Sequence, residues 1–208
     1  MSSVPLRQLT SEQYLEIERQ SDFKSEFYKG EMFAMSGASR LHNTIQANLI
    51  WRLNERLDGT PCQAVGSEQR VHISATGLHT YPDVVVHCEP SRYLDNQFDT
   101  LLTPRVLIEI LSDSTEKYDR GAKSAQYREI DSLQEYVLVS QVEPRVEVFQ
   151  RQPDGNWLLR ETRTLEDSTT LHSIGVTIPM SEIYHRVEFS PIDLAEAGIH
   201  SDLTERTN

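Results

Sequence analysis

A chain of 208 residues with 38% hydrophobic content can bury one sizeable core, and its length allows two small domains at most. Its formal net charge of −12, from 32 acids against 20 bases, argues against a non-specific nucleic-acid binder, because phosphate contacts need Lys and Arg. No apolar run approaches the ~18 residues of a membrane span, and residues 1–7 lack the apolar core of a signal peptide. Cys62 and Cys88 show neither metal-ligand spacing nor a disulfide framework. Both sit beside apolar residues, so buried free thiols in a reducing cytoplasm are expected.

In chain order, Thr10-Ser11-Glu12-Gln13 supplies cap residues and a first-turn acid. Tyr14, Leu15 and Ile17 then mark a short amphipathic helix to about residue 19. Residues 23–28 and 31–35 read as two strands joined at Lys29-Gly30, a hairpin. After the loop Ser36-Gly37-Ala38-Ser39, Leu41, Ile45, Leu49, Leu53 and Leu57 recur every four residues, the best helix signal in the chain. His42 lies in the first turn of that helix, and Asp58-Gly59-Thr60-Pro61 ends it.

Strands follow around residues 63–65, 69–73 and 81–87, and residues 89–103 are polar and irregular. Pro104 opens an aliphatic strand to Leu111, and a helix runs from about residue 117 to 130. Asp119 and Arg120 read as first-turn charges of that helix. Later strands are expected at residues 136–139, 146–149 and 157–160, with weaker β character at 171–178 and a helical turn at 180–184. The order is that of an α/β chain with a mixed central β-sheet flanked by helices. One domain is expected over residues 1–190, with a polar tail at 191–208. No glycine-rich strand-to-helix turn supports a dinucleotide fold, and no phosphate-cradling loop is present.

The chemistry concentrates between Tyr81 and Tyr127. Tyr81-Pro82-Asp83 runs into Val84-Val85-Val86, and Glu109 interrupts the aliphatic run from Val106 to Leu111. An unpartnered carboxylate costs several kcal/mol, roughly, to bury. Two carboxylates on two apolar strands therefore ask for a shared cation, and a metal ion that activates water is the leading answer. Alternation puts Glu109 on the face of Leu107 and Leu111. Lys123, on the following helix, can bring its ammonium to that end. A metal-free buried pair of Glu109 with Lys123 is the bland alternative.

The ordered pieces are Tyr28-Lys29-Gly30-Glu31, His42, Tyr81-Pro82-Asp83-Val84, Ile108-Glu109-Ile110-Leu111-Ser112 with Ser114-Thr115, Asp119 to Lys123 with Tyr127, and Glu135 to Val139. This set resembles the PD-(D/E)XK nuclease superfamily, and more narrowly the Uma-two family of restriction endonuclease-like proteins, over residues 9–189. The resemblance implies a restriction-endonuclease-like fold and a DNA phosphodiester substrate. It implies Asp83 and Glu109 as ligands of Mg²⁺ (or Mn²⁺), with the carbonyl of Ile110 as a third. Lys123 would orient or deprotonate water, Glu31 would complete the acidic cluster, and His42 would contact substrate or a water of the ion. Leu111 stands where the superfamily motif has lysine, which makes Lys123 the relocated candidate; Gln126 and Tyr127 are similar to a pair in exonuclease-like relatives. A homodimer would let two sites face two strands. The other reading is a non-catalytic binding or assembly module that keeps the fold.

Overall fold

The structure, a computed structural model, describes residues 8–189. It opens with α1 (Ser11–Glu18), closed by a capping box between Thr10 and Gln13. Tyr14 and Leu15 point inward as expected, but Ile17 is 43% exposed and Glu18 is buried instead. The Glu18 carboxylate accepts hydrogen bonds from Ser25 N and Tyr81 Oη, both at 2.8 Å. Both bonds go to Oε1, while Oε2 is buried with no hydrogen-bond partner among the described residues; two donors on one oxygen hold the carboxylate at an inward position that periodicity assigns to an aliphatic residue. Strands β1 (Ser25–Tyr28) and β2 (Glu31–Ala34) form the expected hairpin. Lys29 and Gly30 have φ of 50° and 88°, the left-handed pair a two-residue turn needs.

Helix α2 (Arg40–Leu57) buries Leu41, Ile45, Leu49, Leu53 and Leu57, as their spacing predicts, and Ser39 caps it by accepting from His42 N. Then come β3 (Cys62–Gly66), β4 (Arg70–Ile73), β5 (Leu78–Thr80), β6 (Val84–Cys88), β7 (Thr100–Leu101) and β8 (Pro104–Leu111). The stretch read as one strand from residue 81 starts only at Val84. Tyr81-Pro82-Asp83 is the crossing between two sheets, and Pro82 could not donate to a ladder there. The helix expected from residue 117 is broken into α3 (Glu116–Tyr118), a π-helical turn (Asp119–Lys123) and α4 (Ser124–Tyr127). The chain continues through β9 (Glu135–Ser140), β10 (Val146–Arg151), β11 (Trp157–Thr162), β12 (Ser168–Leu171), β13 (Val176–Pro179) and α5 (Met180–Ile183). The tail expected at residues 191–208 lies outside the described residues.

The central sheet has the order β11-β10-β9-β8-β6-β3. Its β8–β9 pair is parallel and its other pairs are antiparallel. One face carries Val84, Val86, Val106, Ile108, Ile110, Val137 and Val139 against α2, α5 and the β12–β13 ribbon. The other carries Val85, Leu107, Leu111, Tyr136 and Leu138 against Tyr127, Ile130, Leu133 and the second sheet, ordered β2-β1-β5-β4-β7. Each fully buried aliphatic side chain contributes about 1.5–3 kcal/mol. Leu111 belongs to this second core, so the position of the superfamily lysine is filled by packing. Glu109 faces the same way.

Cys62 and Cys88 are not free thiols. They oppose each other in the β3–β6 register and form a disulfide. Spacing alone could not reveal this, because it depends on which strands become neighbours. Closing 26 residues restricts the unfolded chain, so reduction should lower stability by about 2–4 kcal/mol, read from urea midpoints with and without reductant.

His79 is fully buried between Tyr14 and His72, with ring centroids 5.0 and 4.1 Å away, and its Nε2 pairs with Ser11 Oγ at 2.7 Å. Burial pushes its pKa down to about 3, helped by His72 and Arg70. A lowered histidine pKa means that the unfolded chain takes up the proton first. Stability should therefore fall as pH drops from about 6.5 toward 3, by at most ~1.4 kcal/mol per pH unit. Thermal midpoints across that range, compared with His79→Gln, check the slope.

Candidate active site

Where the two sheets meet above β8, the chain leaves a cleft of about 690 Å³. Asp83 stands at its floor, in the crossing before β6. Its Oδ2 accepts from Ile110 N at 2.7 Å and lies 3.0 Å from His42 Nε2. Gln46 Nε2 donates to the Asp83 carbonyl at 2.7 Å, so α2 grips this turn through two side chains. Asp83 N approaches Glu109 Oε2 at 3.4 Å, which brings the two acids to one end of neighbouring strands.

Glu109 is 3% exposed and Lys123 6%. Lys123 Nζ lies 2.9 Å from Glu109 Oε1, 3.2 Å from Glu26 Oε1 and 3.6 Å from Asp119 Oδ1. Tyr127 Oη donates to Glu109 Oε1 at 2.6 Å, and Thr80 Oγ1 donates to Glu26. Asp119, Lys123 and Tyr127 recur every four residues, which puts them on one side of the helical segment. The π-helical turn sits under them, and Tyr136 Oη donates to the Asp119 carbonyl at 3.0 Å. Such single wide turns occur often at functional sites.

The electrostatics are lopsided. The cleft lining carries five acids, Glu26, Asp83, Glu109, Asp113 and Asp119, against two lysines, Lys24 and Lys123, and three of the acids surround the Lys123 ammonium. Burial pushes Glu109 up to about 8; the Lys123 ammonium pulls it back, and Asp83 and Asp119 push it further up. Burial also raises Asp119, against the pull of Lys123. Burial alone would lower Lys123, but Glu109, Tyr127, Glu26 and Asp119 hold it well above its ordinary value. Lys123 therefore stays charged at neutral pH.

An excess of carboxylates in one cleft suits a divalent cation. Among the described residues no group of three His, Cys, Asp or Glu side chains is arranged to hold a metal by itself. Asp83 and Glu109 offer two carboxylates, which is the share that Mg²⁺ commonly takes from a protein, the rest of its shell being water and substrate phosphate. The donor set thus fits a shared ion but not a closed protein cage.

Of the residues singled out from the sequence, Asp83, Glu109, Ile110, Lys123 and His42 come together here. Glu31 does not. It is exposed beside the hairpin turn on the outer strand β2, opposite Tyr28. Glu26, on the inner strand of the same hairpin, takes the place expected of it, because β1 packs beside β5 and so beside Thr80. Asp119 is a buried member of the cluster and not a first-turn surface charge. Its four-residue spacing to Lys123 and Tyr127 was the available signal; Glu26 had none. Gln126 turns away to accept from Thr76 Oγ1.

Comparison with known proteins bears on the family and the fold. The Uma2 family model, described as "Putative restriction endonuclease", matches residues 11–181. The uncharacterized protein slr1290 of Synechocystis sp. is 35% identical over 187 residues, covering 90% of this chain and 97% of its own. A second Synechocystis protein, sll1609, is 37% identical over 153 residues, covering 74% of this chain and 86% of its own. A crystal structure described as a "putative nuclease belonging to DUF820", from Anabaena variabilis, matches with a TM-score of 0.67. It is 16% identical and covers 85% of this chain and 97% of that one, a likeness of fold.

Proposed function

Because the chain belongs to the Uma2 family and has a restriction-endonuclease-like α/β fold, we propose that its cleft hydrolyses DNA phosphodiester bonds with Mg²⁺ or Mn²⁺. The observation that supports this most is the meeting of Asp83 and Glu109 at one strand end, with a buried lysine between Glu109 and two further acids. Asp83 and Glu109 would hold the ion, with the Ile110 carbonyl as a third donor. The ion, when bound, would supply Lewis acidity to the phosphate and to the attacking water.

The chain's own residues prepare the rest. Tyr127 and Lys123 both bind Glu109 Oε1, which leaves Oε2 turned toward Asp83. The amide of Ile110 and the ring of His42 fix Asp83 Oδ2. Lys123 has too high a pKa to act as a base, so its role is to orient water and to stabilise negative charge on the phosphate. Glu26 and Asp119 hold its ammonium in place. Two copies would serve two strands, so a homodimer is the assembly this reading favours.

The competing reading is a binding module in which Glu109 and Lys123 are only a buried ion pair; the 2.9 Å contact of Lys123 Nζ with Glu109 Oε1 is its support. Nicking of supercoiled plasmid with Mg²⁺ or Mn²⁺, beside an EDTA control, separates the two. Asp83→Asn and Glu109→Gln are each expected to lower the nicking rate by on the order of 10²-fold or more. Nicking that survives in both variants would sink the site, and absence of nicking in the parent would favour the module.

A further inference from the structure

A second groove, of about 1020 Å³, runs along the outer side of α2. Asn43, Ala47 and Trp51 line it at four-residue spacing, and His185 and Arg186 form the opposite wall. Trp51 is 54% exposed. The Arg52 guanidinium lies 3.8 Å from its ring centroid and is itself held by Glu55 and Glu182. One face of the indole is thus backed by a fixed cation. Asn48 pins the far wall by donating to the carbonyls of Ile183 and His185 at 3.0 and 2.8 Å. Beyond that clamp Arg186 takes a left-handed φ of 61°. A non-glycine residue adopts that conformation at a cost, and such residues gather at binding sites.

In a chain of net charge −12, none of the described residues that line this groove is acidic. Asn43 lines both this groove and the cleft of Asp83, and its neighbour His42 bonds Asp83 itself. A flat ring, the exposed guanidinium of Arg186, the amide of Asn43 and continuity with the proposed phosphodiester cleft together match one class of ligand.

We propose that the α2 groove binds an unpaired stretch of the substrate's nucleic-acid strand, one base stacked on Trp51 and its phosphates beside Arg186 and Asn43. The proposal rests on the nuclease reading for the substrate's path and predicts that the enzyme prefers single-stranded or splayed ends to closed duplex. Bases stack on aromatic side chains whatever their sequence, and phosphate contacts make binding salt-dependent.

The test is binding without cleavage. Full-length protein carrying Trp157→Phe, which leaves Trp51 as the reporter, is titrated in EDTA with a twelve-residue oligothymidylate and with a hairpin duplex. Quenching of Trp51 emission by the single strand is expected. Trp51→Ala, followed by anisotropy of labelled oligonucleotide, should weaken single-strand binding by roughly tenfold or more, while Trp51→Phe should largely retain it. Arg186→Ala should reduce the salt slope by about one. Equal affinity in Trp51→Ala and parent, or no quenching, would overturn the proposal. Quenching that needs removal of residues 190–208 would also overturn it, by assigning the groove to the chain's own end. Single-strand binding through Trp51 without metal-dependent nicking would leave the groove standing and remove the nuclease reading alone.

Discussion

Replacing Lys123 by methionine should lower the stability of the metal-free protein by about 3–5 kcal/mol at pH 9, the cost of leaving buried charge unpaired. Methionine keeps the length of the side chain, so the loss is electrostatic and not a cavity effect. Three carboxylates, Glu26, Glu109 and Asp119, lie within 3.6 Å of the ammonium. The loss should shrink toward pH 6, because Glu109, already raised by burial, can then take up a proton and remove its own charge. Adding Glu109→Gln to Lys123→Met should recover part of the loss at pH 9, a coupling that a double-mutant cycle in urea measures directly. Equal loss at both pH values, with no coupling, would mean that the cluster is not the buried charge network described above.

The second large effect is the pH dependence set by Glu109. Its folded pKa, about 8, lies above its ordinary value of 4.5. The native state then binds the proton more tightly than the unfolded state. Stability of the metal-free protein should fall as pH rises from about 4.5 to about 8, by at most ~1.4 kcal/mol per unit. His79 works in the opposite sense below about 6.5, so the two slopes oppose each other there. The clean window is about pH 6.5 to 8, where denaturant midpoints should decline in the parent and stay flat in Glu109→Gln. Lys123, held above its ordinary value, loses its contribution only at higher pH and does not enter this window. A flat parent curve would show that Glu109 is ionised throughout.

How much of this could be read from the residues varies with the physical source of each feature. The four-residue leucine and isoleucine spacing of α2 is a local property, and the helix follows it to the boundary. Glu109 stood out because a lone acid in an aliphatic strand is costly, and it is the centre of the cluster. Lys123 could be reached because no lysine occupies position 111. Glu26 and Glu31 show the limit. Both are hairpin acids, and only the docking of β1 against β5 decides which one faces Lys123. The disulfide escaped for the same reason: Cys62 and Cys88 become partners through the antiparallel β3–β6 register, a long-range fact. The π-helical turn left no local mark beyond the spacing of Asp119, Lys123 and Tyr127.

The measurement that tests the central claim most directly is calorimetric titration of Mn²⁺ into the protein at pH 7, in two buffers of different ionisation heat. One ion per chain should bind, with release of a proton from Glu109 that appears as a buffer-dependent heat, since carboxylate ligands must be ionised to bind metal. Asp83→Asn should abolish or severely weaken binding, and Glu109→Gln should remove the proton release as well. No binding by the parent protein, or binding of equal strength in both variants, would contradict the assignment of Asp83 and Glu109 as the residues that hold the ion.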